Sequence, residues 1–219
     1  MHGLRVSHAG REWTQYREGQ SAMNESDAKR VSIIGMGNVL LGDDCFGPFT
    51  IEIFGSLYEC GRAIEIVDVG TPGSDLAPYL YGRDLVILVD AVRDDGHPGT
   101  LRIYGERDFL HYSAQLRVTN HDPGLQESLA QLRLVNRGPV ELVIIGVIPE
   151  RCEFGEDISS TVLEASFAAV ERIHQLLVER GFDCVKRASP LQPTFWWTSE
   201  LAKCDWVRKH SPSIPLNDN

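Results

Sequence analysis

The pattern of apolar and polar positions divides the central part of the chain into alternating strands and helices. Four short runs are rich in valine, isoleucine and leucine, and they cover residues 31–34, 63–69, 84–90 and 140–148. Runs of this length and composition predict strands, and the nearly unbroken runs at 84–90 and 140–148 are typical of central parallel strands. A shorter run at residues 100–104 predicts a strand near a sheet edge.

Between these runs, apolar side chains recur at helical spacing. The first helix is predicted from Phe46, Phe49, Ile53, Phe54 and Leu57, and it is predicted to end at Gly61. A short helix is predicted at residues 76–80, and another begins at Pro123 with Leu125, Leu129 and Leu132 on its apolar face. The last helix is predicted over residues 159–181. Its buried side is predicted to contain Val162, Ala165, Phe167, Val170, Ile173, Leu176 and Leu177.

The order of these elements predicts a single α/β domain over residues 30–183. We expect a three-layer α/β/α sandwich around a twisted, mostly parallel sheet of about five strands. Residues 1–29 show no sustained periodicity and are expected to form a flexible N-terminal extension. Residues 184–219 contain four prolines and three tryptophans. This C-terminal tail is expected either to wrap around the core or to stay loose until a partner binds.

Composition narrows the classes of function. The 219-residue chain has 42% hydrophobic and 24% charged residues, which is usual for a soluble globular protein. Its formal net charge of −10 argues against a nucleic-acid partner. No apolar run approaches the length of a membrane span, and the N-terminal residues lack the apolar core of a signal peptide.

The cysteines indicate the compartment. They are odd in number, scattered and free of any C-x-x-C pair, at Cys45, Cys60, Cys152, Cys184 and Cys204. This usage predicts a protein of the reducing cytoplasm, with no disulfide framework and no structural zinc. We also expect a monomer.

The segment after the first strand concentrates the candidate chemistry. Gly35-Met36-Gly37-Asn38 predicts a turn, because glycine permits positive φ and close backbone approach. Asp43 and Asp44 follow at the start of the next helix. Acidic residues there can simply complement the helix dipole.

Two other interpretations of this segment assign it a ligand. A dinucleotide-binding loop is disfavoured because Leu40 stands where the G-x-G-x-x-G motif requires its third glycine. The carboxylates of Asp43 and Asp44 would also repel a pyrophosphate. The remaining interpretation is a cation or proton-transfer site, which paired carboxylates suit when partners lie elsewhere in the chain.

Asp90 and His121 are the candidate partners. Asp90 ends a central strand, His121 lies just before the helix at Pro123, and Asp68 is expected nearby, where it would orient neighbouring groups. Because parallel strands share one carboxyl edge, we expect Asp44, Asp90 and His121 to meet at a single exposed rim. This set suits nickel or zinc better than calcium and leaves positions open for other ligands. In a metal-free alternative, one Asp activates water and His121 donates a proton.

Several short motifs together resemble a known family. They are Gly35-x-Gly37-Asn38, Gly42-Asp43-Asp44, Gly47-Pro48, Asp68-x-Gly70-Thr71, Leu88-Val89-Asp90-Ala91, Pro98-Gly99-Thr100 and His121. In combination they resemble the NiFe-hydrogenase maturation endopeptidases over about residues 31–180. No G-x-S-x-G elbow or H-E-x-x-H helix supports a serine hydrolase or a zinc protease.

The resemblance implies an aspartic-type endopeptidase that acts on the NiFe-hydrogenase large-subunit precursor. Such an enzyme removes the C-terminal extension of the precursor after nickel insertion and recognises the nickel. By position, the family's metal-contacting residues fall on Asp44, Asp90 and His121, with Asp44 and His121 as catalytic candidates. The implied metal is nickel carried by the substrate, for which zinc or cadmium can substitute in a purified sample. The chain departs from the family at Cys45, where the family usually has glycine.

Two other functions stay open. A maturation factor could bind the nickel-loaded precursor without cutting it. Cys45 and the tryptophan-bearing tail are compatible with that role. A nucleotide-binding oxidoreductase is the weaker alternative.

Overall fold

The computed structural model describes residues 29–72, 76–112, 122–195 and 197. The strands are β1 (Val31–Met36), β2 (Tyr58–Cys60), β3 (Ile64–Gly70), β4 (Leu85–Ala91), β5 (Leu101–Gly105), β6 (Glu141–Val147) and β7 (Cys184–Lys186). The helices are α1 (Phe46–Leu57), α2 (Ala77–Leu80), α3 (Glu106–Tyr112), α4 (Asp122–Leu134) and α5 (Ser160–Glu179). None of the helices in these ranges is long and apolar enough to cross a membrane.

Five strands form the central sheet in the order β3-β1-β4-β6-β5. The first four are parallel to one another, and β5 runs antiparallel to β6 at the edge. The predicted edge position of residues 100–104 and the predicted mostly parallel sheet are therefore confirmed.

Two apolar layers cover the faces of this sheet, because successive side chains of a strand point to opposite sides. Val31 and Ile33 of β1 pack with α1 and α5, whereas Ile34 and Met36 pack with α2, α3 and α4. β4 is buried along its whole length. The predicted three-layer α/β/α sandwich is confirmed, with helices on both faces of the sheet.

The first helix differs from its prediction. α1 ends at Leu57 rather than Gly61, because Tyr58–Cys60 leaves the helix as β2 and pairs antiparallel with β7. Within this small sheet Cys60 lies opposite Cys184, and the two form a disulfide.

The expectation of no disulfide was wrong for Cys60 and Cys184. The two residues are 124 positions apart in the sequence, so no local spacing motif reveals them. Their proximity depends on the pairing of β2 with β7, which is a tertiary contact. The free cysteines in the described part of the chain are Cys45 and Cys152.

The first residues of the predicted C-terminal tail pack against α1. After β7, the chain runs back along this helix, and we call residues 187–195 together with Trp197 the C-terminal strap. Three backbone N–H groups of the strap donate to oxygens of α1, in the pairs Arg187–Leu57, Leu191–Ser56 and Thr194–Glu52. Phe195 then stacks on Phe49 with ring centroids 4.8 Å apart. Residues 1–28 and 198–219 lie outside the described part of the chain.

Candidate active site

β1 and β4 are adjacent strands, and the segments that leave their carboxyl ends lead to opposite sides of the sheet. The chain leaves β1 through α1 and reaches β3 on one side, but it leaves β4 toward β5 and β6 on the other side. α1 covers one face of the sheet, whereas α3 and α4 cover the opposite face. In open α/β sheets, ligands bind in the crevice that such a topological switch point creates at the carboxyl ends of the strands.

Asp44 and Asp90 both lie at this switch point. Asp44 belongs to the 3-10 turn Gly42–Cys45, which follows β1 and contacts β4. Asp90 is the penultimate residue of β4 and lies opposite Gly146 of β6. Asp44 and Asp90 therefore lie at the same edge of the sheet, and His121, the third residue of the predicted set, lies outside the described residues.

Two glycines allow the turn to approach the strand ends. A Cβ on Gly47 would lie 2.1 Å from the Met36 carbonyl oxygen and 2.4 Å from that of Val89. A Cβ on Gly37, whose φ is 138°, would lie 1.9 Å from the Asp44 carbonyl oxygen. A side chain at either position would push α1 and its preceding turn away from the sheet. The glycines of the signature therefore set the position of Asp44.

The Asp44 side chain is buried, and the expectation of an exposed rim position was wrong. Only 1% of the residue is accessible. The backbone N–H of Asn38 donates to Asp44 Oδ2 at 2.8 Å, and Asn38 Oδ1 accepts from the backbone N–H of Leu40 at 3.0 Å. Asp90 is also fully buried, and its Oδ1 accepts from the backbone N–H of Ala91 at 2.8 Å.

Asp43 has a different set of contacts, which sequence reasoning missed. Its Oδ1 accepts from the backbone N–H of Ser159 at 2.6 Å, and its Oδ2 accepts from the Ser159 hydroxyl at 2.9 Å. Oδ2 also accepts from the backbone N–H groups of Glu150 and Arg151, at 2.8 and 3.1 Å. Four donors therefore hold this carboxylate, which ties the loop between β6 and α5 to the turn that contains Asp44. Nothing local in the sequence distinguishes these two adjacent acids.

Comparison with known proteins identifies the family. The sequence model of the family described as hydrogenase maturation protease matches residues 51–176. The chain belongs to the hydrogenase maturation protease family. The predicted resemblance is thereby confirmed, and the nucleotide-binding interpretation has no support.

Individual relatives agree with this assignment. The chain is 31% identical to the hydrogenase 2 maturation protease of Escherichia coli over 159 residues, which are 72% of this chain and 96% of that protein. It is 32% identical to the hydrogenase expression/formation protein HoxM of Azotobacter vinelandii over 155 residues, 70% of this chain and 75% of that one. The solved structure of the hydrogenase maturating endopeptidase HybD from E. coli matches with a TM-score of 0.68 and 31% identity. That match covers 73% of this chain and 98% of HybD.

The two free thiols near the acidic turn of this protease are protonated at neutral pH. Burial, reinforced by the charges of Asp43 and Asp44, raises the pKa of Cys45 far above its ordinary value. Burial and the same two carboxylates raise the pKa of Cys152 to about 11. A thiol must ionise to act as a nucleophile, so neither residue is prepared for cysteine-protease chemistry. Cys45 packs in the apolar layer of α1 and α5, which explains how the chain accommodates this departure from the family.

Asp68 and His121 complete the list of predicted site residues. Asp68 Oδ1 accepts from the backbone N–H of Gly70 at 2.8 Å, and Asp68 lines a cleft of about 300 Å³ beside the loop 37–40. His121 lies outside the described residues, directly before the first residue of α4. Among the residues that the structure describes, no three His, Cys, Asp or Glu side chains are close enough together to hold a metal ion.

Proposed function

We propose that this protease removes the C-terminal extension of a NiFe-hydrogenase large-subunit precursor after nickel has been inserted. The observation that supports this proposal best is the placement of two buried carboxylates, Asp44 and Asp90, at the switch point of a hydrogenase maturation protease fold. Buried carboxylates are costly unless they bind a donor or a cation. A position at the carboxyl edge of the sheet suits contact with an incoming substrate.

The proposed recognition element is the nickel of the substrate. Carboxylates from Asp44 and Asp90 and an imidazole from His121 suit a borderline metal such as nickel. A set of two or three protein ligands leaves coordination positions for groups that the precursor supplies. A precursor without nickel would lack this anchor, so recognition and the timing of cleavage would be a single event.

Peptide hydrolysis at this edge needs one base and one acid. In the proposed reaction, water attacks the scissile carbonyl carbon, and Asp44 either accepts a proton from this water or polarises the water. The C–N bond then breaks, and His121 donates a proton to the departing amine. The products are a new carboxyl terminus on the large subunit and a free C-terminal peptide. The substrate's nickel would act as a Lewis acid or as a docking point. Asp44 in this role would make the enzyme an aspartic-type endopeptidase.

Cleavage of a nickel-loaded precursor tests the proposal. The purified protein is incubated with the precursor in nickel-loaded and nickel-free forms, and intact-mass spectrometry follows the large subunit. We expect a loss of mass equal to one C-terminal peptide in the nickel-loaded sample alone. An unchanged mass, while a known active relative cuts its own precursor, would contradict the proposal. A stable complex at unchanged mass would instead support the non-cleaving maturation factor.

Substitutions test whether the activity depends on the candidate residues at the carboxyl edge of the sheet. Asp44→Asn, Asp90→Asn and His121→Ala should each abolish processing while circular dichroism shows an intact fold. Asp183→Asn is a matched control, because Asp183 is an exposed acid next to β7. It should cut at the wild-type rate. The expected cytoplasmic location and monomeric state stay predictions.

A further inference from the structure

A second, smaller cleft lies next to the turn that contains Asp44. Its volume is about 110 Å³, and it shares Gly42 and Cys45 with that turn. The loop after β1 forms one wall, the loop between β6 and α5 forms the other, and Trp197 of the C-terminal strap completes it. The apolar side chains that line it are Val39, Leu40, Cys45, Phe154, Ile158 and Trp197.

Two of these side chains are exposed although they are large and apolar. Phe154 is 79% accessible and Leu40 is 49% accessible. Single exposed apolar residues are common on protein surfaces, but here both face one cleft beside buried carboxylates. Such a cluster is typical of a surface that binds an apolar group.

Both walls of the cleft are fixed relative to Asp44. The Asp43 carboxylate holds the loop between β6 and α5 through Glu150, Arg151 and Ser159. The backbone N–H of Gly155 donates to the carbonyl oxygen of Leu40 at 3.0 Å, which joins the two walls directly. Hydrogen bonds therefore connect the cleft directly to the candidate catalytic turn.

The C-terminal strap brings Trp197 to this cleft. Its hydrogen bonds with α1 lead the chain from β7 toward the start of the helix, where Phe195 stacks on Phe49. Trp197 contacts the Phe195 ring edge-on, with centroids 5.6 Å apart. The family match ends at residue 176, so Trp197 belongs to a part of the chain outside that match.

We propose that this cleft binds an apolar side chain of the precursor segment next to the scissile bond, and that Phe154 and Trp197 determine which side chain fits. The inference rests on the proposed function, because the cleft adjoins the turn that contains Asp44, the residue proposed to act on the scissile bond. A neighbouring residue of an extended peptide lies only about 3.5 Å further along.

The size and charge of the cleft define its ligand. An apolar cavity of about 150 Å³ holds benzene, so a cleft of about 110 Å³ suits valine, leucine or methionine better than tryptophan. Glu156 and Asp157 lie at its wall and are exposed. Their negative charges disfavour a precursor segment with Asp or Glu next to the apolar side chain.

A panel of precursors tests this inference. Each of the four residues on either side of the scissile bond is replaced in turn by Ala and by Asp in nickel-loaded precursor, and kcat/KM is measured. For the wild-type enzyme, Ala at one apolar position should lower kcat/KM about 10-fold or more. Asp at a position adjacent to that one should lower kcat/KM by a larger factor.

Two enzyme variants then identify the cleft as the cause. Phe154→Ala and Trp197→Ala should lose the discrimination at that position, so that native and Ala precursors differ less than about 3-fold. Trp197→Phe should restore part of it. Leu134→Ala, at an exposed apolar residue of α4, is the matched control and should discriminate as the wild type does.

The outcomes separate this inference from the proposed function. If the wild-type enzyme leaves the nickel-loaded precursor uncut, the proposed function fails. If it cuts the precursor but Phe154→Ala and Trp197→Ala discriminate as the wild type does, only the assignment of the cleft is overturned. Phe154 is 79% exposed, so a folding defect in that variant is not expected.

Discussion

Asp43 and Asp44 are adjacent acids with different contacts. Asp43 receives four hydrogen bonds from the loop between β6 and α5, all of them from this chain. Asp44 is held from the other side by the backbone N–H of Asn38, at the edge where β1 and β4 end. These contacts give Asp43 a structural role, and the catalytic role that we propose for this turn belongs to Asp44.

This division predicts opposite effects of two similar substitutions. Asp43→Asn replaces an acceptor oxygen by an amide that faces N–H donors, and it should lower the free energy of unfolding by about 2–4 kcal/mol. Asp44→Asn should lower it less and should abolish cleavage. Urea denaturation of both variants, monitored by tryptophan fluorescence, measures the difference. A larger loss of stability in Asp44→Asn would contradict the assignment.

Tyr58 gives the fold a dependence on alkaline pH. Its hydroxyl donates to Glu171 Oε1 at 2.9 Å, and burial together with this hydrogen bond raises its pKa from an ordinary value of 10.0 to about 12. A raised folded-state pKa contributes stability that is fully present below the unfolded pKa and is lost as the pH rises through the folded value. The loss due to Tyr58 should therefore fall between about pH 10 and pH 12.

The free energy of unfolding should decline more steeply over this range in the wild type than in Tyr58→Phe. Tyr81→Phe is the control, because the Tyr81 ring is exposed, and it should follow the wild-type slope. Urea titrations at several pH values measure the slopes. Equal slopes in all three proteins would show that Tyr58 does not contribute.

At the scale of elements, long periodic segments were predictable and short pairs were not. β4, β6 and α5 follow directly from their apolar patterns, because β4 and β6 are buried on both faces of the sheet and α5 buries one long apolar face. β2 and β7 have three residues each and form only by pairing with one another. Their sequences contain no periodic signal of that length, so α1 was predicted to continue through β2.

The disulfide between β2 and β7 is the corresponding stability prediction. It closes a loop across 124 positions, which restricts the unfolded chain and should stabilise the fold by about 2–4 kcal/mol. Cys184→Ser, or reduction of the wild type, should lower the free energy of unfolding by this amount. Cys152→Ser should leave it unchanged, because Cys152 is outside the bond. Equal urea midpoints with and without reductant would contradict the prediction.

At the scale of the whole molecule, the candidate site could be predicted in its position but not in its environment. The loop signature and the strand-end rule predict one edge for Asp44 and Asp90, and the turn after β1 and the end of β4 contain them. The burial of Asp44 could not be foreseen, since it depends on the tertiary packing of its turn against β4 and on the contact with Asn38. The cleft that Trp197 completes was also beyond prediction, because the strap reaches it only by packing along α1.

The central claim is that the carboxylates at the β1–β4 edge contact the nickel of the precursor. Nickel K-edge X-ray absorption on a complex with a precursor whose scissile bond is blocked by proline tests it most directly. Relative to the free nickel-loaded precursor, the complex should show additional oxygen or nitrogen ligands, and Asp44→Asn and Asp90→Asn should each remove part of them. A nickel coordination shell that stays the same in the free precursor, the wild-type complex and both variant complexes would contradict the account.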